Sequence, residues 1–263
     1  MTAARPGGGL KTEKMPGHWV LARMGKRVLR PGGMELTRRM LAALRIGPSD
    51  DVVEFAPGLG VTARLTLALA PKSYVAVERD ENAAAIVRRY LKGADRRCVV
   101  GSAAATGLPA GSATVVYGEA MLTMQTEEEK RRIVREAARL LKTGGRYAVH
   151  EMCLRDAVEG GVRQEVERAL TGVVHHGVRP LTVTEWRRLL EGEGFVVKAT
   201  EVAPMALLEP ARVVADEGLW RALRFAFNVL RNADARRRVF EMRRVFRRHR
   251  DQIAAVMITA ERR

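Results

Sequence analysis

The feature that most constrains the fold of this chain is a short apolar run that leads directly into a glycine-rich turn. Residues 51–60 read Asp-Val-Val-Glu-Phe-Ala-Pro-Gly-Leu-Gly, and a helical pattern follows from Thr62. Glycines in such a turn let a ligand approach the backbone amides, and the N-terminus of the next helix points N–H donors at that ligand. The segment therefore predicts a buried strand, a ligand-binding turn and a helix, in that order.

A second acidic residue supports this interpretation. Glu78 ends the next apolar run, 24 residues after Glu54. In dinucleotide sites the acidic residue at this position accepts hydrogen bonds from the ribose hydroxyls, and its charge rejects a phosphate there. The two segments together predict a nucleotide-like ligand at the ends of two strands.

Short apolar runs alternate with helical patterns along most of the chain. Because each gap between runs can hold a crossover connection, we expect an α/β fold with helices on both faces of a mostly parallel sheet. The last strand is expected to run antiparallel. Seven runs are predicted to be strands, at residues 51–55, 74–77, 98–100, 114–117, 147–152, 195–200 and 253–259.

Composition limits the remaining classes of protein. The two cysteines exclude a disulfide framework and a four-cysteine zinc site. Because no run of 18 apolar residues and no apolar signal-peptide segment is present, we expect a cytoplasmic protein. The net charge is +16, of which residues 1–50 carry +7 and residues 201–263 carry +6. This distribution favours an anionic partner beside the two flanks, although the excess of arginine over lysine is also typical of a codon bias.

Three segments together resemble the class I S-adenosylmethionine (SAM)-dependent methyltransferases. The turn at residues 54–60 resembles their acidic-x-Gly-x-Gly-x-Gly motif, residues 99–109 their third strand and adenine loop, and residues 140–147 their Leu-Lys-Pro-Gly-Gly turn before strand five. Order and spacing match over residues 45–200, and the chain looks closest to the small-molecule branch that includes quinone-biosynthesis methyltransferases. The resemblance implies a Rossmann-like, seven-stranded sheet and SAM as the cofactor, with S-adenosylhomocysteine as its product.

The resemblance also implies which residues bind the cofactor. Glu54 would contact the amino group of SAM, Gly58 and Gly60 would line its methionine moiety, and Glu78 would bind the ribose hydroxyls. The residues that would flank adenine are Arg79, Ser102 and Ala103.

The sequence departs from the family pattern in three places. Ala56 stands where the motif has its first glycine, and we still place it at the cofactor site. Ser102 replaces the aspartate that contacts the adenine amino group, so adenine would be held by backbone groups and a hydroxyl. The aspartate expected at the start of the fourth strand is absent near Ala113 and Thr114.

Two polar residues near the ends of the fourth and fifth strands are the candidate catalytic residues. His150 is predicted to be a general base, because imidazole titrates near neutral pH; the alternative is a hydrogen-bonded core histidine. Glu119 is predicted to bind the substrate or the SAM ammonium group; the alternative is a salt-bridged strand end. One of His175 and His176 could face the same pocket, and no set of metal ligands accompanies them. Methionines that could line an adaptable apolar pocket, or pack in the core, are Met121, Met124, Met152 and Met205.

Residues 231–250 form a predicted basic helix with nine arginines. Three interpretations remain open: a solvated helix that packs by an apolar seam, a helix that lies on an anionic membrane, and a helix that binds nucleic acid. The aromatic content of 5% offers no stacking platform for bases, and the fourth strand is not followed by the Asn/Asp-Pro-Pro-aromatic run of base-amine methyltransferases. These observations argue against nucleic acid.

The predicted function is transfer of a methyl group from SAM to a small-molecule acceptor, with oxygen favoured over carbon or nitrogen. The acceptor is expected to be apolar, anionic or lipid-like. The alternatives are an RNA methyltransferase and a non-catalytic SAM-binding module. We divide the chain into a mobile tail (1–14), cap helices (15–46), a SAM-binding core (47–200), a basic insertion of two helices (201–252) and the last core strand (253–263).

Overall fold

Within residues 12–156, 158 and 160–263, which a computed structural model describes, eight strands pair into one mixed sheet. The strands are β1 (Asp51–Phe55), β2 (Ser73–Glu78), β3 (Arg96–Val100), β4 (Ala113–Glu119), β5 (Leu141–Leu154), β6 (Leu181–Thr182), β7 (Phe195–Pro204) and β8 (Ile253–Arg262). Their order is β3-β2-β1-β4-β5-β8-β7, and β6 pairs with β5 outside this path.

The strand directions follow the sequence prediction. Strands β1 to β5 pair in parallel, whereas β8 runs antiparallel to both β5 and β7. The predicted α/β fold with a mostly parallel sheet is therefore confirmed, and the short β6 is the one addition. The strand order reverses between β1 and β4, and ligands of open α/β sheets bind beyond the carboxyl ends of the strands at such a switch point.

Helices cover both faces of the sheet and extend beyond its carboxyl edge. The side chain of Thr126 caps the start of helix α5, since its Oγ1 accepts a hydrogen bond from Glu129 N at 3.3 Å. The helices are α1 (Gly17–Met24), α2 (Gly33–Leu44), α3 (Val61–Ala68), α4 (Glu81–Arg88), α5 (Glu127–Leu140), α6 (Gly160–Val174), α7 (Val183–Gly192), α8 (Pro210–Glu217), α9 (Leu219–Arg231) and α10 (Ala233–Arg248).

Helices α1, α6, α8, α9 and α10 form a cap with its own buried cluster, which includes Leu21, Leu170, Phe225 and Met242. The prediction of two helices in the insertion was wrong, since it holds α8, α9 and α10. Helix α6 was not predicted, because it opens on two glycines that obscure the apolar spacing behind them. Of the predicted mobile tail, residues 1–11 lie outside the described residues. None of the described helices is long and apolar enough to cross a bilayer.

Buried charges fasten α8 to the segment that connects α1 and α2. Glu217 accepts hydrogen bonds from Arg27 N at 2.7 Å and Val28 N at 2.8 Å. The fully buried Lys26 Nζ lies 3.8 Å from Asp216 and 3.9 Å from Glu217. Burial lowers the pKa of Lys26, and the two carboxylates oppose this change. Since an unpaired buried charge is costly, these carboxylates hold the cap in place.

We expect Glu217→Ala to lower the free energy of unfolding by about 3 kcal/mol, because it leaves buried N–H groups and the Lys26 ammonium without an acceptor. The matched control is Glu127→Ala, which removes an exposed ion pair with Arg131 and should cost less than about 0.5 kcal/mol. Urea denaturation of the two variants measures both losses. Equal losses of unfolding free energy in the two variants would contradict the role of Glu217 in holding the cap in place.

Candidate functional site

A cavity of about 570 Å³ lies at the carboxyl ends of the strands, between the sheet and the cap. Its volume falls within the range of pockets that bind small organic ligands. One half is lined by the turns after β1, β2 and β3, and the other half by the cap helices and the segment after β4. The cavity therefore offers a polar half on the sheet and an apolar half under the cap.

The turn between β1 and α3 forms one wall of the polar half. Gly58 has φ +55°, and no atom lies within 4 Å of the position a Cβ would occupy, so its backbone is open to the cavity. Ala56 has φ +50°, the left-handed conformation for which the family motif uses glycine. Gly60 does not line the cavity; a Cβ there would lie 3.1 Å from the Tyr90 ring. The expected contact of Gly60 with the methionine moiety is thus corrected, since this glycine serves helix packing.

Glu78 joins the ends of β1 and β2. Its Oε2 accepts a hydrogen bond from Gly58 N at 3.0 Å, and its Oε1 accepts one from Asp80 N at 2.9 Å. Burial raises the pKa of this carboxyl group, and the backbone N–H groups of Asp80, Gly58 and Arg79 oppose that shift. The carboxylate keeps further lone pairs toward the cavity, which it lines together with Arg79, Ser102 and Ala103.

Glu54 lies in the floor of the cavity and is almost fully buried. Its Oε2 accepts hydrogen bonds from the hydroxyls of Tyr74 and Tyr117, the latter at 2.7 Å. Burial raises the pKa of Glu54 to about 7, and the two tyrosine hydroxyls oppose this shift. The tyrosines therefore occupy one oxygen of the residue that was predicted to contact the cofactor.

Glu119 is a buried carboxylate that contacts four side chains. Its Oε1 accepts hydrogen bonds from Thr37 Oγ1 at 2.5 Å and His150 Nδ1 at 2.8 Å, and lies 3.2 Å from Arg30 Nε. Its Oε2 accepts a hydrogen bond from Thr62 Oγ1. Burial acts to raise the pKa of Glu119, but Arg30 and His150 outweigh it and lower the pKa to about 2. This side chain is therefore an ionised anchor for four elements, although it also lines the cavity.

His150 is not placed to act as a general base. It is fully buried, does not line the cavity, and has Nε2 at 2.5 Å from Pro31 O and Nδ1 at 2.8 Å from Glu119. Both ring nitrogens thus lie within hydrogen-bond distance of oxygen atoms of the protein, which leaves neither of them directed at a ligand. The expected base role is thus corrected: this core histidine connects β5 to the segment before α2.

The apolar half of the cavity is rich in methionine. Trp19 and Phe246 contribute aromatic surface from α1 and α10. Long, flexible thioether side chains adapt to ligands of irregular shape. The methionines that line the cavity include all four that the sequence singled out: Met121, Met124, Met152, Met205 and Met242.

His18, on α1, is the polar residue of this half that sequence reasoning missed. Its Nδ1 is buried without a hydrogen-bond partner among the described residues. Burial and the nearby His176 lower the pKa of His18 to about 4, so its ring is neutral at physiological pH. His176 also lines the cavity, as expected for one member of the histidine pair. The signal for His18 was its position in a helix predicted to cover the site.

Glu151 was also missed as a site residue. Its carboxylate accepts hydrogen bonds from three consecutive backbone N–H groups of the segment after β4, those of Met121 at 2.8 Å, Leu122 at 2.7 Å and Thr123 at 3.1 Å. Thr123 Oγ1 adds a fourth at 2.7 Å. This buried side chain fixes the segment after β4, which lines the second half of the cavity together with the cap helices.

The arginines of α10 are largely used within the protein. Arg238 donates to the carbonyl oxygens of Thr12 at 2.9 Å, Met15 at 3.1 Å and Val173 at 3.2 Å. Arg243 lies 3.2 Å from Glu209. Helix α10 thus packs by its apolar seam, and these contacts favour the structural interpretation of the basic helix over a nucleic-acid surface.

The described residues fit a nucleoside cofactor. Gly58 leaves open space beside the backbone, the N-terminus of α3 faces the cavity through Val61 and Thr62, and Glu78 offers carboxylate lone pairs to hydroxyl groups. Among the described residues, no cluster of three or more His, Cys, Asp or Glu side chains is suited to a metal ion.

Comparison with known proteins agrees with this geometry. The family described as "Methyltransferase domain" matches residues 53–149. An uncharacterized protein of Haemophilus influenzae is 32% identical over 232 residues, which cover 86% of this chain and 90% of that protein.

Two solved structures share the fold. The cyclopropane synthase MmaA2 of Mycobacterium tuberculosis superposes with a TM-score of 0.71 at 12% identity, covering 96% of this chain and 99% of the other. A phosphoethanolamine N-methyltransferase 2 of Haemonchus contortus, in complex with phosphomonomethylethanolamine and S-adenosylhomocysteine, gives a TM-score of 0.68 at 13% identity, covering 94% of this chain and 57% of the other. The family match and the geometry of the site identify this chain as a class I SAM-dependent methyltransferase, and the two solved structures share its fold.

Proposed function

We propose that this enzyme methylates an oxygen atom of a small, largely apolar acceptor. The observation that carries the proposal is the methionine-lined half of the cavity, where the neutral His18 has a buried Nδ1 with no hydrogen-bond partner among the described residues. Such a chamber favours an apolar molecule with a single ionisable hydroxyl or carboxyl group. The Haemonchus contortus enzyme, which was solved in complex with phosphomonomethylethanolamine, supports an acceptor of small-molecule size.

The polar half would hold the cofactor. Glu78 would accept hydrogen bonds from the two ribose hydroxyls, and the backbone at Ser102 and Ala103 would contact adenine. Gly58 would allow the methionine moiety to approach the turn, beside Ala56 and Glu54. SAM, when bound, supplies an electrophilic methyl group. The residues of this chain orient it, exclude water and remove the proton of the acceptor.

His18 takes the general-base role that the sequence assigned to His150. A neutral imidazole has one nitrogen lone pair, so His18 can accept the proton of the acceptor hydroxyl and leave a nucleophilic oxygen. Its helix, α1, covers the cavity and keeps bulk water from this proton transfer. Glu119 cannot share this role, because its pKa of about 2 leaves it a poor proton acceptor.

We expect Glu78→Gln to weaken SAM binding about 10- to 100-fold, because hydrogen bonds from two hydroxyls to a charged acceptor are lost. Calorimetric titration with SAM and with S-adenosylhomocysteine measures the change. The matched control is Glu129→Gln, in the other half of the cavity, and its affinity should equal that of the wild type. Unchanged affinity in Glu78→Gln would refute the ribose assignment.

The depressed pKa of His18 predicts how acid affects stability. Below its ordinary pKa of 6.5, His18 takes up a proton only in the unfolded chain, until pH falls to about 4. The wild type should therefore lose up to about 3 kcal/mol from this group between these pH values, and His18→Gln should lose correspondingly less. Chemical denaturation at several pH values tests this, with replacement of the exposed His175, His175→Gln, as control. Identical pH slopes for the wild type and His18→Gln would contradict it.

For catalysis, we expect His18→Gln to lower kcat about 100-fold or more once an acceptor is found, with the affinity for SAM unchanged. The wild-type rate should show no loss from this group as pH falls from 8 to about 5, since the pKa of His18 is about 4. A screen of small phenols and carboxylic acids, read as S-adenosylhomocysteine formation, provides the assay. A variant that keeps the wild-type kcat would remove His18 from the mechanism.

A further inference from the structure

Helix α9 has a wide apolar surface, and the rest of the protein covers only part of it. Ala222, Phe225 and Val229 are buried in the cap. A second set of large apolar side chains on the same helix points to solvent, and we call it the outer face of α9. Its members and their exposed fractions are Leu219 (56%), Trp220 (82%), Leu223 (52%), Phe227 (56%) and Leu230 (55%).

The outer face is continuous and lies beside a cationic edge. At about 100° per residue, its five members occupy about one quarter to one third of the helix circumference, next to the buried stripe. The cationic edge next to the outer face consists of three arginines, Arg221, Arg224 and Arg231. Helix α9 contains no acidic residue. The two acidic residues before the helix, Asp216 and Glu217, are turned inward toward Lys26 and Arg27.

Helix α10 also carries an exposed aromatic side chain between arginines. Phe240 is 49% exposed. Arg236 and Arg244 are four residues before and after it, so they flank it on the helix surface. Exposed aromatic and leucine side chains bordered by arginines are typical of helices that lie in the interface of an anionic membrane.

We propose that the outer face of α9 docks the protein on an anionic phospholipid surface. Trp220, Leu223 and Phe227 would enter the boundary between headgroups and acyl chains, while Arg221 and Arg224 would contact lipid phosphates. Charge decides between this occupant and a second copy of the chain. Pairing two copies through this face would bring arginine edges together without an acidic residue of α9 to neutralise them.

Docking by α9 would place the membrane beside the cap of the cavity. Asn228 Nδ2 donates to Met24 O at 2.9 Å, which ties α9 to the end of the helix that carries His18. An acceptor dissolved in the bilayer could then reach the methionine-lined half without crossing bulk water. The docking itself does not depend on the identity of the acceptor.

Co-sedimentation of the full chain with vesicles tests the proposal. We expect binding to phosphatidylcholine vesicles that contain about one-third phosphatidylglycerol, little binding to pure phosphatidylcholine, and weakening by salt. Phe227→Glu and Leu223→Glu should each lower the partition coefficient about tenfold or more. The matched control is Leu69→Glu, which introduces the same charge at the C-terminal end of α3. Leu69 is 40% exposed, and this variant should bind vesicles like the wild type.

Tryptophan fluorescence gives a second readout. Trp186 is buried and Trp220 is 82% exposed, so insertion should shift the emission of Trp220 to shorter wavelength. Trp220→Phe should remove the shift and keep the binding. No binding to anionic vesicles, equal binding by Phe227→Glu, or a dimer that Phe227→Glu dissociates in analytical ultracentrifugation would each overturn the proposal.

Discussion

The structure depends on one buried anion at the end of β4. Glu119 accepts hydrogen bonds from α2, α3 and β5 and pairs with Arg30 of the segment before α2. A carboxylate removed from water needs such compensation, and the low pKa of Glu119 indicates that the compensation is sufficient. The order of the strands in the sheet reverses between β1 and β4, and ligands of open α/β sheets bind at such a switch point. This anion therefore lies beside the cavity.

The same carboxylate couples the two halves of the cavity. Thr62, in the first turn of α3 beside the polar half, donates a hydrogen bond to Oε2 of Glu119. Thr37 of α2 donates a hydrogen bond to Oε1, which also pairs with Arg30. On its far side the Arg30 segment is held by Asp216 and Glu217 of α8. A continuous set of buried polar contacts thus runs from the start of α3 to helix α8, which directly precedes α9.

The local sequence determined the parts of the cavity wall whose shape follows from backbone geometry. A strand, a glycine turn and an acidic strand end predicted the positions of Gly58 and Glu78, because these features depend on residues adjacent in the chain. Gly60 shows the limit of this reasoning. A glycine is needed both where a ligand approaches and where another side chain does, and only the packing of Tyr90 distinguishes the two cases.

By itself, the sequence determined the α/β sheet, its antiparallel last strand and the turns that line the polar half of the cavity, since apolar periodicity and turn chemistry are local properties. Tertiary structure decided the roles of the histidines and of the basic insertion. His150 and His18 have equal intrinsic chemistry, but His150 lies between two oxygen partners, whereas His18 lines the cavity with an Nδ1 that has no hydrogen-bond partner among the described residues. Likewise, arginines on α10 are bonded internally while apolar residues on α9 are exposed. Burial and partners arise from contacts between segments distant in the chain, which no local pattern specifies.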